Sequence, residues 1–571
     1  MRLNFITIFF IIPASLVATT LLLLSIFIPH TGESTRFIQR ISSVYFVYYL
    51  WLESTSILIR YESILPINTL LKTPWVIITH TITIIEFSIE DNLFFRFFFI
   101  YILIIIIIFF FSVAEYFFIS KKGRPEFPIL IFFIIFGGIF TLRLYTFIDL
   151  LIALEIVTLT SYVLVTFERQ NRFSTYAGVQ YFILGSLPSA GLLLAFGFFY
   201  LQGGSLILQD LDLLFNTTFT RIDFLYIKFN QIFYLIYDYI ILSVITYNDN
   251  LFQYINQEEK VYNIYFSNIK LYTIFNRRNS INTLTLIALV FLFFNFLFKL
   301  TAAPFHVWAP SVYGKAPIVS VIFLSIYSKI LIFFLFFKLL NTFLHTFSFF
   351  IRNFLLIIGI LSIFIGILGA FIEKLIKRFF IYSSIGHVGF RLIGLSLLTL
   401  EGSSAIFHYL AVYIISSFGR WFLLLIIGRN KNHLVHFAEL KNNDPFISLF
   451  FAFLIFSISG IPPLGGFFIK LDILSALLDT SHFFINYILF FFTVASFFYY
   501  LRIIKILFFD IQTIIRSNQV ILDSLRYPIE FSYYTGRLWR ISRIFIILGL
   551  YIFLIQKELL YIQYEVLVSF N

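Results

Sequence analysis

No cysteine occurs anywhere in the chain, so it holds no disulfide, no thiolate-bound metal and no iron–sulfur cluster of its own. Charge is scarce as well. Only 12% of the 571 residues are Asp, Glu, Lys or Arg, against 60% hydrophobic. A soluble protein of this length would need far more polar surface. The motifs of common chemistries are missing too: there is no HExxH, no P-loop and no GxGxxG in a strand–helix setting. Strand-like alternation is absent from runs such as YILIIIIIFFF (101–111), which argues against a transmembrane barrel.

What is present is lipid-compatible length. Apolar runs of about 20 residues recur along almost the whole chain, and each is long enough to span a bilayer as a helix. Lipid offers no partner to a backbone amide, so each span must satisfy its own hydrogen bonds. The reading is therefore an all-α polytopic membrane protein. Spans are expected near 4–28, 94–119, 127–145, 147–167, 176–201, 282–303, 316–340, 350–372, 379–398, 404–428, 447–474, 482–505 and 543–562. A weaker one at 41–60 brings the total to about fourteen. The first run, Leu3 to Ile28, is long enough to remain as a helix rather than be cleaved as a presequence. The balance of 82 Phe and 34 Tyr against one Met reads as an AT-rich coding genome, with much of the Phe as lipid-facing filler.

Loop charge supports this span list from residue 94 onward. SKKGR (120–124), ERQNR (168–172), EKLIKR (373–378) and GRNKNH (428–433) all fall on one side, which is the cytoplasm-equivalent face. The turn TLEGSS (399–404) and the segment 203–281 fall on the other. That segment has six Lys/Arg and seven Asp/Glu, so it shows no basic bias. The +11 net charge follows from this topology and does not point to nucleic acid.

Two spans carry interruptions, FKLTAAPFH (298–306) and FSISGIPPLGGFFIK (456–470). Proline removes a backbone donor and clashes with the carbonyl four residues back, so Pro304 frees the carbonyl of Leu300 and Pro462 that of Ile458. Freed carbonyls survive only where protein or water covers them. Paired broken helices running in opposite directions mark an inverted repeat, here two five-helix repeats with one broken helix each. The lysine precedes the break in the first and follows it in the second.

Four charges lie at bilayer depth: Glu155, Lys299, Lys329 and Lys470. Each costs about 2.5–3.5 kcal/mol on insertion scales. A Glu–Lys pair that only glues helices is one reading. The other is a proton path, because a lysine out of water gives up its proton more readily and a nearby carboxylate restores the charged form. His306 and His387 are candidate relays, with a hydrogen-bonded interior histidine as the alternative for each. His408 is read as an ordinary interior histidine, and Arg420 as a buried cation without an evident partner.

At these residues the sequence resembles a known family. FKLTAAPFHVWAPSVYGKAPIVSVIFLSIYSKI (298–330) is similar to the signature of chain 2, bacterial chain N, of respiratory complex I. The likeness continues through DLLIALEIVTLTSYVLV (149–165), KRFFIYSSIGHVGF (377–390) and SISGIPPLGGFFIK (457–470), and covers about 94–205 and 281–505. Lys470 disfavours sister chain 4, which carries glutamate there. Lys-Leu before Pro-Phe-His, with Ser328-Lys329, favours chain 2 over chain 5. The resemblance implies an antiporter-like, proton-translocating membrane-arm subunit of mitochondrial complex I. Glu155 is then the first-half glutamate, Lys299 its partner, Lys329 the connecting lysine and Lys470 the second-half lysine. It implies no cofactor in this chain, with flavin, iron–sulfur clusters and ubiquinone in other chains. The implied partners are chains 4 and 4L, accessory subunits and membrane lipids. The implied site is the mitochondrial inner membrane, multi-pass and organelle-encoded. A cation/proton antiporter subunit and a non-pumping scaffold are the rival readings. Two positions depart from the pattern: Gln180 stands where the family often has lysine, and Ser311 where it has an acid.

The expected organisation is a divergent N-terminal part (1–93), then a first half (94–340) interrupted by an extramembrane insertion (205–280). A second repeat (350–505) follows, and then an interfacial segment with a last span (506–571). The insertion is expected on the intermembrane-space side. Residues 506–540, rich in Arg, Tyr and Trp, are expected along the matrix-side interface.

Overall fold

The computed structural model describes residues 126–142, 146–215, 269–427, 433–443, 445–462, 464–480 and 482–509. The expected spans at 4–28, 41–60, 94–119 and 543–562, most of the 205–280 insertion and the 510–540 segment lie outside the described residues. Every expected span between 127 and 505 meets a helix. Seven helices are long and apolar enough to cross a membrane, and three shorter apolar helices accompany them. The described residues contain no strand, only the isolated bridges Thr146–Ile207 and Leu375–His433.

The first series comprises α1 (Glu126–Leu142), α2 (Phe147–Val165), α3 (Arg172–Gly203), α4 (Ile269–Leu300) with α5 (Trp308–Lys315), and α6 (Ile318–Ile322) continuing into α7 (Ser328–Thr342). The second comprises α8 (Ser348–Ile372), α9 (Ile376–Leu397), α10 (Leu400–Ile427), then short α11 (Ala438–Asn443), α12 (Pro445–Ser459) with α13 (Gly465–Asp479), and α14 (Phe483–Phe508). The interrupted member stands fourth in each series of five. Five crossings separate equivalent elements, so the two series run in opposite senses.

Helix α4 begins at Ile269, well before the span start expected at 282. Hydropathy reports the lipid-length portion of a helix, and IKLYTIFNRRNS continues the same helix in a polar register. The expected insertion therefore ends inside a helix. Local chemistry sets other ends. Thr146 and Asp149 form a reciprocal capping box at the start of α2. Gly204, at φ 66°, closes α3 by returning its N–H to Tyr200.

The centre of the bundle is α9 and α10, whose most apolar windows are 94% and 100% buried. Glycine lets α8 and α9 touch backbone to backbone: a Cβ on Gly366 would meet the Gly386 amide nitrogen at 2.5 Å. Close small-residue contact of this kind substitutes for the hydrophobic drive that lipid removes. It also fixes the face of α9 that looks away from α8, where the polar residues of the site stand.

Candidate functional site: a row of buried cations between two broken helices

Both interruptions end in the same backbone figure. After α4, Thr301 adopts φ 62°, the Ala302 N–H reaches Leu297 O (2.9 Å) and the Thr301 N–H reaches Phe298 O (3.0 Å). After α12, Gly460 sits at φ 90°, and the Gly460 and Ile461 N–H groups both reach Phe456 O. These left-handed caps satisfy the last carbonyls that a continuing helix would have used. The carbonyl that draws most partners at the first break is thus Phe298 O rather than Leu300 O, because Trp308 Nε1 also donates to it (3.2 Å). Trp308 is stacked between Tyr181 and Phe298, with ring centroids 5.1 Å away on each side. Ser362 of α8 closes the break by accepting from the Ala303 N–H (3.0 Å).

Lys299 lies two residues before the turn. Its Nζ is sealed from the surface and has no hydrogen-bond partner among the described residues. It lines a cavity with Thr158, Ser161, Tyr181, Tyr327 and Ser328, about 30 Å³ as the space a water's centre can occupy. That is room for at least one water among several hydroxyls. Glu155 is held from the α2 side, where the Thr158 hydroxyl donates to its Oε2 (3.2 Å). Its charge acts on Lys299. No direct ion pair within 4.0 Å joins the two, so the cavity is where a bridging water would sit.

Lys329 opens α7 directly after a π-helical turn, Phe323–Tyr327. Such turns mark places where a helix is re-aimed. Its side chain is fully buried and donates to Ser384 Oγ (2.8 Å). Ser384, His387 and Arg391 follow one another at helical spacing on one face of α9. His387 is clamped between two phenols, Tyr409 OH at Nδ1 (2.6 Å) and Tyr500 OH at Nε2 (3.0 Å). It feels the charges of Lys470, Arg420, Arg391 and Lys329 together. Lys470 donates to Ser459 O (2.7 Å) and Ser496 Oγ (3.2 Å). The first of these is the C-terminal end of α12, where the helix dipole is negative and favours a cation.

The six sequence-chosen residues therefore fall into three places. Lys299 lines the first-half cavity, and Glu155 is bonded to Thr158, which lines it too. Lys329, from the last helix of the first series, joins His387 and Lys470 of the second through Ser384 of α9. His306 stands apart in the first break, near the Tyr382 ring, with its buried Nδ1 unpartnered and no hydrogen bond to the four charges. Arg420 lies over the Phe380 ring. Sequence reasoning passed over Arg391, which is fully buried between the rings of Phe333 and Tyr413. Its spacing from His387 was the readable signal. It also passed over Ser384, Tyr409, Tyr500 and Ser496, whose roles depend on other helices. Gln180 and Ser311 turn out to be partners, Gln180 Nε2 donating to Ser311 Oγ (3.2 Å). The two departures from the family pattern thus form a neutral pair with each other. The described residues contain no cluster of His, Asp and Glu suited to a metal ion.

A family model described as NADH:quinone oxidoreductase/Mrp antiporter, TM matches residues 145–241 and 251–498. The chain is similar to NADH-quinone oxidoreductase subunit N of Rhodospirillum rubrum, 31% identical with 69% of each chain covered. It is also similar to the protein so named from Pelagibacter ubique, 28% identical with 70% of this chain and 72% of that one covered. In fold it matches a chain of respiratory complex I from Thermus thermophilus, at TM-score 0.62 and 20% identity, with 96% and 97% of the two chains covered. It matches a chain of the Mrp complex from Dietzia sp. DQ12-45-1b equally broadly, at TM-score 0.66 and 15% identity, with 97% and 96% covered.

Proposed function

Because the chain belongs to the NADH:quinone oxidoreductase/Mrp antiporter transmembrane family, we propose that it is a proton-translocating membrane-arm subunit of a respiratory complex I. The observation that carries this is the row of buried titratable groups linking the two broken helices, Lys299 at one end and Lys470 at the other. Protons move through this chain and electrons through others. It needs no cofactor of its own, and flavin, iron–sulfur clusters and ubiquinone belong to its partners. Moving one charge against 100 mV costs about 2.3 kcal/mol, so the row must be driven from outside the chain.

In this reading Glu155 and Lys299 load a proton through the water cavity. Lys329 receives it across the π-turn and holds it against Ser384. His387 stands between Lys329 and Lys470, with Tyr409 and Tyr500 as hydroxyl bridges. The partners are other membrane-arm chains, with chains 4 and 4L the expected neighbours, and the membrane is the mitochondrial inner membrane. The AT-rich composition and the basic matrix-side loops support that placement.

The rival within the family is a cation/proton antiporter subunit. The fold does not separate the two, as the complex I and Mrp likenesses are equally broad. The relatives from Rhodospirillum rubrum and Pelagibacter ubique are NADH-quinone oxidoreductase subunits. Purification of the native assembly tests the choice. Co-purification with a flavin and iron–sulfur NADH-oxidising arm is expected. Sodium/proton exchange by an assembly lacking that arm would replace the proposal with the antiporter.

A further inference from the structure

Two polar rungs join α10 to α13 away from the cation row. In the inner rung His408 Nδ1 meets Asp472 Oδ2 at 2.5 Å. His408 is 1% exposed, while the Asp472 side chain is 22% exposed. The second ring nitrogen, Nε2, is buried and has no hydrogen-bond partner among the described residues. In the outer rung Glu401 and Asp479 lie close enough for their charges to act on each other. Both are exposed, Glu401 in the first turn of α10 and Asp479 as the last residue of α13.

The rungs are in register. Glu401 precedes His408 by two turns and Asp479 follows Asp472 by two turns, so they occupy matching faces of antiparallel helices about 10 Å apart along the axes. Ser404 and Ser475 stand between them on the same two faces. The ladder thus runs from bilayer depth to the membrane face that bears the turn 399–404. At its inner end Asp472 is two residues from Lys470, and His408 is the residue before Tyr409, which holds His387.

We propose that His408 and Asp472 form the proton-exchange branch that connects Lys470 to the membrane face carrying Glu401 and Asp479. This deepens, and rests on, the proton-translocation reading. A clamp between two helices would need only the Nδ1–Asp472 bond. It would leave the second ring nitrogen buried with no partner among the described residues, which is costly, whereas a water there would both satisfy that nitrogen and deliver a proton to it. In the step, a proton released by Lys470 arrives at Nε2 through water and makes an imidazolium. The Nδ1 proton then passes to the Asp472 carboxylate. The resulting carboxylic acid hands it on to the Glu401–Asp479 pair and so to the aqueous face. This leaves the Nε2–H tautomer, and exchange of the ring proton through water restores the first one. One proton enters and one leaves.

Asp472→Asn separates the two roles, because the amide oxygen still accepts from Nδ1 but cannot take a proton. The assay is proton release per electron pair by the assembled complex in sealed vesicles, with Lys329→Met measured beside it. The expected result is normal assembly and proton release through this chain down about a hundredfold, the lower end for losing one positioned proton carrier. Asp472→Glu should restore most of it. If Asp472→Asn fails to assemble, Glu401→Gln reads the outer rung, where a clear fall is again expected. Wild-type proton release in the assembled Asp472→Asn complex, or in Glu401→Gln where that variant is the one read, while Lys329→Met has lost it, overturns the branch and leaves the main reading standing. Wild-type release in Lys329→Met overturns the main reading itself.

Discussion

Replacing Gly466 by alanine should uncouple the second half of the site without touching a charge. A Cβ at this position would lie 1.6 Å from Ser457 O, whereas real Cβ atoms stay at least 3.0 Å from such neighbours. The end of α12 and the start of α13 must then separate by at least 1.4 Å, the difference of those two distances. Lys470 Nζ stands 2.7 Å from Ser459 O, on the far side of the same junction. If the whole displacement falls there, the contact opens to 2.7 plus 1.4, or 4.1 Å, beyond hydrogen-bond range. Overpacking at backbone and loss of a charge-assisted bond together cost about 3–5 kcal/mol. Gly197→Ala is the control, because its Cβ would meet nothing within 4 Å and a helical alanine gains about 0.5–1 kcal/mol over glycine. The assay is thermal inactivation of the purified complex with proton release per electron pair. A Gly466→Ala complex as heat-stable and as well coupled as Gly197→Ala would refute the account of the second break.

Thr301→Gly should raise heat resistance by about 1 kcal/mol, since it relieves a β-branched residue in the left-handed region. It also removes a buried hydroxyl without a partner; a lowered melting temperature would count against this. Ser384→Ala removes the only described hydrogen-bond partner of Lys329. Stability should fall by about 1–3 kcal/mol, and coupled turnover should fall more than NADH oxidation measured with an uncoupler; equal loss of both would mean Ser384 only supports the fold.

Much of the site was readable because its elements break local rules. Lysines inside apolar runs and prolines inside spans both conflict with lipid, and each marked a residue or break that lies in the candidate site. The second break announces itself with GIPPLGG. The first uses Thr301 where glycine would be expected, so only Pro304 signalled it. What escaped were the relations between helices. Ser384, Tyr409, Tyr500 and Ser496 are ordinary residues of apolar spans, and their roles exist only once four helices meet. Gln180 and Ser311 show the same limit. Each read as a lost charge, and only packing shows that the two are bonded to each other. His408 read as an interior histidine for a related reason, since Asp472 lies 64 residues away along the chain. The span expected at 282–303 meets the apolar portion Leu284–Leu300, and the helix itself starts earlier because hydropathy measures apolar length, not helical continuity.

The most direct test of the central claim is proton release per electron pair by the complex carrying Lys329→Met, reconstituted in sealed vesicles. Methionine keeps roughly the volume and removes the titrating group from the middle of the row. The account predicts an assembled complex whose proton pumping and coupled turnover fall together. An assembled Lys329→Met complex that pumps as the wild type does would contradict it.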